Sequence, residues 1–358
     1  MVILVHVSHR VANLGPALRS VTAFGQMGVQ LFFVVSAFTL CVSFTRRAAE
    51  PKRLRAFYLR RFFRIAPLYY FAIPFYLAVR ILRDRLGGTE SFEIYSLLAM
   101  ASNILFIHGF VPEGNNTIVP GGWSIGTEMA FYALFPFAFI GLRRLNLSSP
   151  LAALLVVILL LAGNLAVQLL IGITNENPFK NNSFRYFNLL NQAPVFSVGY
   201  LAFCIYNSDG WIHRCHASVP TIAFGIFCIA SGLAWASDAQ WKYAILPTLV
   251  AMTFLCLLEV FRKIPRQSEL LCRIGKVSYS MYIFHTLFVV TILTVGSRAE
   301  LLMPSWLVLS LFFIATTALT FAISSVTEKM IEERGSRWGK YWIKRLQGRT
   351  LPTRSALV

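Results

Sequence analysis

Charge is what this 358-residue chain has least of. Only 13% of its residues are charged, against about a quarter in an ordinary soluble domain, while 56% are hydrophobic and 31 are phenylalanine. So little charge cannot clothe a surface that faces water on all sides, which excludes a soluble enzyme. The same composition excludes a disordered or collagen-like chain. Acidic residues are scarce, 15 against 33 lysines and arginines, for a net charge of +18. In a soluble protein that excess points to nucleic acid. Beside long apolar runs it reads as the positive-inside bias of a membrane protein, and no nucleic-acid partner is expected. The six cysteines (41, 204, 215, 228, 256 and 272) form no C-x-x-C pair and read as small core residues, not a disulfide frame or a zinc site. Also missing are a Pro-, Gly- or Ser-rich linker, which argues for one membrane domain, and an internal repeat, which weakens a transporter built from inverted halves. No basic n-region or small-residue cleavage site opens the chain, so its start is not a signal peptide.

What the chain has is apolar runs. A membrane helix needs about 20 apolar residues. Such runs lie near 22–45, 64–82, 124–142, 150–172, 189–206, 217–236, 242–261, 277–297 and 305–326. The opening MVILVH is too short to cross alone and reads as the second half of a span, a truncated first helix. Residues 94–108, ending in His108, read as a re-entrant or interfacial segment. The expected fold is therefore all-α, a polytopic membrane bundle of about ten helices. Placing 46–64, 143–149, 207–216, 262–276 and 327–358 in the cytoplasm collects 24 of the 33 basic residues there. Nine remain outside, among them Arg10, Arg19, Arg83, Arg85 and Lys180. Both termini then face the cytoplasm. Residues 1–335 make the membrane domain and 336–358 a basic tail. Within that tail, SRWGKYWIKRL suits a helix lying on an anionic leaflet, with membrane lipids as partners.

Ionisable groups inside spans are functional candidates by default. Here they are His6, Arg64, Glu128, Glu259, His285 and Glu328, with Arg60 and Arg61 just before a span. Glu259 beside Arg262 and Lys263 reads as an interfacial ion pair, and Glu328 and Glu332 as solvated among cations. His6 and His9 share a helical face, but no carboxylate or cysteine stands near to complete a metal site, and no metal is expected. His6 is then either a general base or a hydrogen-bonded packing residue. Apolar sequence follows Arg64 at once, which points its guanidinium into the protein, and a pair of guanidiniums at Arg61 and Arg64 suits bidentate binding of phosphates. Glu128, early in GGWSIGTEMAFYALFPF, must be paired, protonated or set in a wet cavity.

Taken together, these blocks resemble the acyltransferase-3 family of integral membrane O-acyltransferases. GVQLFFVVSAF (28–38), RRFFRIAP (60–67), WSIGTEMAFY (123–132), PVFSVGYL (194–201), GKVSYSMYIFH (275–285) and IEER (331–334) follow the family's blocks in order across nearly the whole chain. His6 matches the histidine that ends the family's first span. The family arginine, separated from that histidine by ten residues, would fall before Met1. Ala37 replaces a glycine, and Arg334 stands where proline is usual.

The resemblance implies transfer of an acyl group, often acetyl in the family, from cytoplasmic acyl-CoA to a hydroxyl of a carbohydrate, a lipid-linked acceptor or a secondary metabolite. It implies acyl-CoA as co-substrate with no bound cofactor, and a bacterial inner-membrane location. On that reading His6 and Glu128 are catalytic, Glu128 either orienting the histidine or holding the acceptor. Arg61 and Arg64 bind the donor, and Trp123, Ser124, Tyr132, Tyr279 and His285 are further site candidates. Histidine's ordinary pKa suits a general base on a hydroxyl. The competing reading is a transporter or flippase for an anionic or sugar substrate. An assembly subunit without chemistry would leave the Trp-Ser-x-x-x-Glu block unexplained.

Overall fold

The computed structural model describes residues 1–87, 92–174, 183–208, 216, 218–239, 241–262, 268–299 and 303–348. Lys180, Cys215, Lys263 and the end of the tail lie outside them. Among the described residues every regular element is helical. In chain order these are α1 (Val2–Ser8), α2 (Pro16–Ala23), α3 (Gly28–Arg46), α4 (Arg53–Arg85), α5 (Leu97–Ile104), α6 (Gly122–Arg144) and α7 (Pro150–Thr174). Then come α8 (Phe184–Phe187), α9 (Leu189–Tyr206), α10 (Ser218–Ala236), α11 (Lys242–Arg262), α12 (Glu269–Ala299), α13 (Ser305–Thr327) and α14 (Glu333–Leu346). Eight stretches among these residues are long and apolar enough to cross a membrane. The protein is an all-α polytopic membrane bundle, as its apolar runs require. The remaining run, 277–297, falls in the 31-residue α12, and the opening fragment forms the seven-residue α1.

Two runs are built differently from their apolar outlines. Residues 22–45 are not one rod: α2 passes through a 3₁₀ turn, Phe24–Met27, into α3. There the backbone lies against α1 so closely that a Cβ on Gly25 would sit 2.7 Å from the Met1 carbonyl oxygen. Helix α4 begins at Arg53, well before the apolar part of its sequence. Its polar start is held by Arg60, which donates to both Glu50 carboxylate oxygens at 2.8 and 2.6 Å and keeps that carboxyl below the usual range. The stretch 94–108 contains only the eight-residue α5 between 3₁₀ turns. That is about 12 Å of helix, too short to cross. Ser96 caps α5 by accepting the Ala99 N–H at 3.2 Å.

The centre of the bundle is α9, buried along most of its length and packed against α3, α7 and α11. Asn188 caps it, accepting the Asn191 N–H at 3.1 Å. Backbones meet where α9 crosses α3: a Cβ on Gly199 would lie 2.5 Å from the Val34 carbonyl oxygen and 2.6 Å from Ala37 Cβ. Small residues at such a crossing are what let membrane helices pack without a hydrophobic drive between them. The described cysteines are all free; Cys41, Cys204 and Cys256 are buried, and Cys228 and Cys272 are exposed.

Two sequence expectations need correction at the end that carries the basic loops. The segment 336–346 does not simply lie on a leaflet, because one face of α14 packs along α4. A Cβ on Gly335 would meet Pro67 Cγ at 2.5 Å, and one on Gly339 would meet Phe63 Cβ at 2.9 Å. Trp338 and Trp342 stay exposed on the other face, and the division at residue 335 falls inside this helix. Second, Glu328 and Glu332 are not solvated; they are 6% and 8% exposed. They sit in a π turn, Glu328–Glu332, that joins α13 to α14. The wider turn swings both carboxyls onto α12, where Lys276 Nζ lies 3.2 Å from Glu328 Oε1 and Ser280 donates to Glu332.

Candidate active site

Helices α3, α4, α6 and α12 enclose a cavity of about 410 Å³. Ser36, Thr39 and Ser43 come from α3, Arg61 and Arg64 from α4, Ser124, Glu128 and Tyr132 from α6, and Ser278, Tyr279 and Tyr282 from α12. Both arginines, the carboxylate and three of the aromatic and hydroxyl candidates thus reach one space from three separate stretches of sequence. A carboxylate inside a span needs such a wet, polar environment.

Glu128 is held from two helices. Ser36 donates to its Oε1 at 2.6 Å, and Tyr132, one turn along α6, donates to the same oxygen. The Arg61 guanidinium carbon lies 5.7 Å from the Tyr132 ring centroid and 5.9 Å from that of Phe57, within cation–π range. Arg61 Nε is buried with no partner. Arg60, committed to Glu50, points elsewhere. Arg61 and Arg64 therefore form the cavity's cationic end, with Tyr279 beside them donating to the Ile65 carbonyl at 3.0 Å.

At the other end the cavity is lined by Tyr282 and Ser124. Ser124 Oγ donates to the Tyr282 hydroxyl at 2.9 Å, and that hydroxyl donates to the Gly121 carbonyl at 2.9 Å. Gly121 has φ +79°, and a Cβ there would lie 3.0 Å from the Tyr282 oxygen, so the start of α6 needs glycine at this point. Trp123 is not a wall of the cavity. It stacks on Phe187 with centroids 4.5 Å apart and meets Phe33 edge-on at 6.0 Å.

One turn beyond Tyr282 on α12, His285 meets His6 of α1, their ring centroids 5.0 Å apart. His285 is fully buried and donates from Nδ1 to the Tyr282 carbonyl at 2.7 Å. His6 is half-buried and His9 exposed. The hydrogen bonds of Glu128 go to Ser36 and Tyr132, and the ring contact of His6 is His285. The alternative in which Glu128 orients His6 therefore has no contact behind it.

A family model described as an acyltransferase domain matches residues 1–325. The chain belongs to the acyltransferase-3 family. It is 28% identical over 139 residues to acyltransferase MdmB of Streptomyces mycarofaciens, covering 37% of this chain and 33% of that one. It is also 29% identical over 113 residues to the exopolysaccharide production protein ExoZ of Rhizobium meliloti, covering 31% and 33%. The chain thus spans about a third of the length of the curated relatives it matches. No solved structure matches it.

In this acyltransferase-3 chain, sequence reasoning passed over Ser36, Tyr282 and Ser280, and set Glu328 and Glu332 aside as solvated. Four of the five lie inside the family-like blocks 28–38, 275–285 and 331–334. Block membership combined with a polar side chain was the available signal. Glu328 carries no such mark. A second buried histidine, His108, anchors the re-entrant segment: its Nε2 lies 3.0 Å from the Gly122 carbonyl oxygen and 3.2 Å from the Tyr69 hydroxyl.

Proposed function

We propose that this protein transfers an acyl group, acetyl in the simplest case, from cytoplasmic acyl-CoA to a hydroxyl of a carbohydrate or similar acceptor on the outer side of the bacterial inner membrane. The observation that carries the proposal is the single cavity that starts at Arg61 and Arg64 and ends at Tyr282, one helical turn from the His6–His285 pair. Family membership supports acyl transfer, and the printed name of the exopolysaccharide relative supports a carbohydrate acceptor. The arginine end lies among the basic loops, which supports a cytoplasmic donor.

On this reading Arg61 and Arg64 hold the donor's phosphates, and its acyl-bearing arm runs past Glu128 towards Tyr282. Glu128, pinned by Ser36 and Tyr132, offers its second oxygen to the cavity and holds the acceptor. His6 takes the proton from the acceptor hydroxyl. The hydroxyl oxygen bonds to the acyl carbonyl carbon, the carbon–sulfur bond breaks, and the proton passes from His6 to the departing thiolate. Each turnover therefore yields one ester and one free thiol. The test measures thiol released from acetyl-CoA by purified protein in liposomes with acceptor present. His6→Ala should lower the rate by about 10²–10⁴-fold, as loss of a general base does, while acetyl-CoA binding and the melting temperature hold. Thiol release at the wild-type rate from His6→Ala would remove His6 from the chemistry. No thiol release from the wild type would favour transport.

A further inference from the structure

The fully buried His285 has one unsatisfied atom. Its Nδ1 is committed to the Tyr282 carbonyl at 2.7 Å, so that nitrogen carries the proton and Nε2 presents a lone pair. Nε2 is buried with no hydrogen-bond partner. Leaving such an acceptor empty is unfavourable, and native structures rarely do so without a reason. Tyr282 and His6 are the rings that touch His285, at 5.7 and 5.0 Å between centroids. Two imidazoles joined by an in-line N–H···N bond of about 2.9 Å have centroids about 5 Å apart, so a turn of the His6 ring without displacement would bring one of its nitrogens to Nε2. His285 is locked by its carbonyl partner and by burial. His6 is half-buried, and its ring contact among the described residues is His285.

We propose that His285 is the positioning residue for His6: its Nε2 receives the N–H of one His6 nitrogen and leaves the other nitrogen unprotonated towards the acceptor hydroxyl. A neutral imidazole here does by hydrogen bonding what a carboxylate does in other nucleophile–base pairs, fixing tautomer and ring orientation. His285 moves no proton of the reaction itself. The assignment rests on the proposed transfer reaction and goes beyond it, since that reaction requires only that His6 be a base.

The test pairs two substitutions with a spectrum. His285→Leu removes the acceptor atom, and kcat for thiol release should fall by about ten- to a hundredfold with KM for acetyl-CoA unchanged. His285→Gln can place an amide oxygen near the Nε2 position and should recover most of that loss. A folded His285→Leu with wild-type kcat, or a His285→Gln variant as slow as His285→Leu, overturns the assignment. The ¹⁵N spectrum of histidine-labelled wild-type protein should show one histidine protonated at Nδ1 whose Nε2 resonance is that of a hydrogen-bonded acceptor. Its absence overturns the assignment even if His285→Leu does not fold. If the wild type releases no thiol, the transfer reaction fails, and the spectrum still decides the pairing. If it does and His285→Leu matches it, only the pairing fails.

Discussion

Replacing Gly199 by alanine adds one methyl group where α9 crosses α3. That methyl would sit 2.5 Å from the Val34 carbonyl oxygen, 2.6 Å from Ala37 Cβ and 3.0 Å from the Phe38 nitrogen. Two of the three are backbone atoms, so no side chain can swing away and the helices must part by about 0.7 Å. A gap of that order forfeits a quarter to a half of the dispersion well for each contact along the seam. Alanine recovers roughly 1 kcal/mol of helix propensity, against an overpacking penalty of about 1–3 kcal/mol. With two of the three contacts to backbone the upper half of that penalty applies, and the expected net loss is about 1–2 kcal/mol. The displacement also has a functional address: Ala37 follows Ser36, which holds Glu128 at 2.6 Å. Transfer activity should therefore fall further than stability alone explains.

The seam carries its own reporters, because Cys41 on α3 and Cys204 on α9 are 1% and 2% exposed. A thiol-reactive dye followed during heating should show the Gly199→Ala midpoint lowered by several degrees. Ala37→Gly, which restores the glycine usual in the family at that position, relieves one of the three contacts. The double variant should recover part of the loss and no more, since the Val34 carbonyl stays in the way. Full recovery, or a Gly199→Ala protein as stable and active as wild type, would show that α3 and α9 are not in backbone contact.

Three further outcomes follow from the site and the topology. Arg64→Lys keeps the charge but loses the planar fork, so acetyl-CoA affinity should fall about tenfold, or about 1.4 kcal/mol, by calorimetry; unchanged affinity in a stable protein would return Arg64 to membrane anchoring. Glu128→Gln keeps the shape, yet Ser36 and Tyr132 then donate to a neutral oxygen, so kcat should drop while KM for the donor stays within about twofold. Wild-type kcat in that variant would make the carboxylate a packing group. A cysteine at Arg55, which is exposed whereas Arg53 is tucked over Phe44 at 3.4 Å, should resist an impermeant label in intact cells, and labelling would invert the topology and the donor side together.

Run length made the spans legible, since nothing but a membrane explains so many apolar stretches. Their ends were less so, because the apolar count is blind to packing. The first turns of α4 are polar but helical, since Arg60 ties them to Glu50 and α14 lies along them. The break before α3 sits inside an unbroken apolar run and is set by the approach of α1 to Gly25 and Gly28. At the site, Arg61, Arg64 and Glu128 stood out because a charge in an apolar helix demands a cavity. Ser36 and Tyr282 did not, because hydroxyls in spans are usually packing groups that bond their own backbone. Glu328 and Glu332 were misread for a geometric reason: at ordinary helical pitch they continue a cationic stretch, and no residue pattern announces the π turn that buries them.

Tyr282 links the two halves of the site in a way that neither half reveals alone. Its hydroxyl, between Ser124 and the Gly121 carbonyl, lies at the cavity's end, and its own carbonyl holds His285. Side chain and backbone of one residue thus serve opposite ends of the proposed chemistry. Because the carbonyl belongs to α12, the tautomer of His285 survives any movement of the tyrosine ring. A turn of the ring therefore leaves the carbonyl's bond to His285 unchanged. The hydroxyl bonds that hold the ring in place are two neutral ones, each worth about 1 kcal/mol net. On the proposed reading, an arm that buries apolar surface along the cavity walls would offset the roughly 2 kcal/mol that the two bonds contribute.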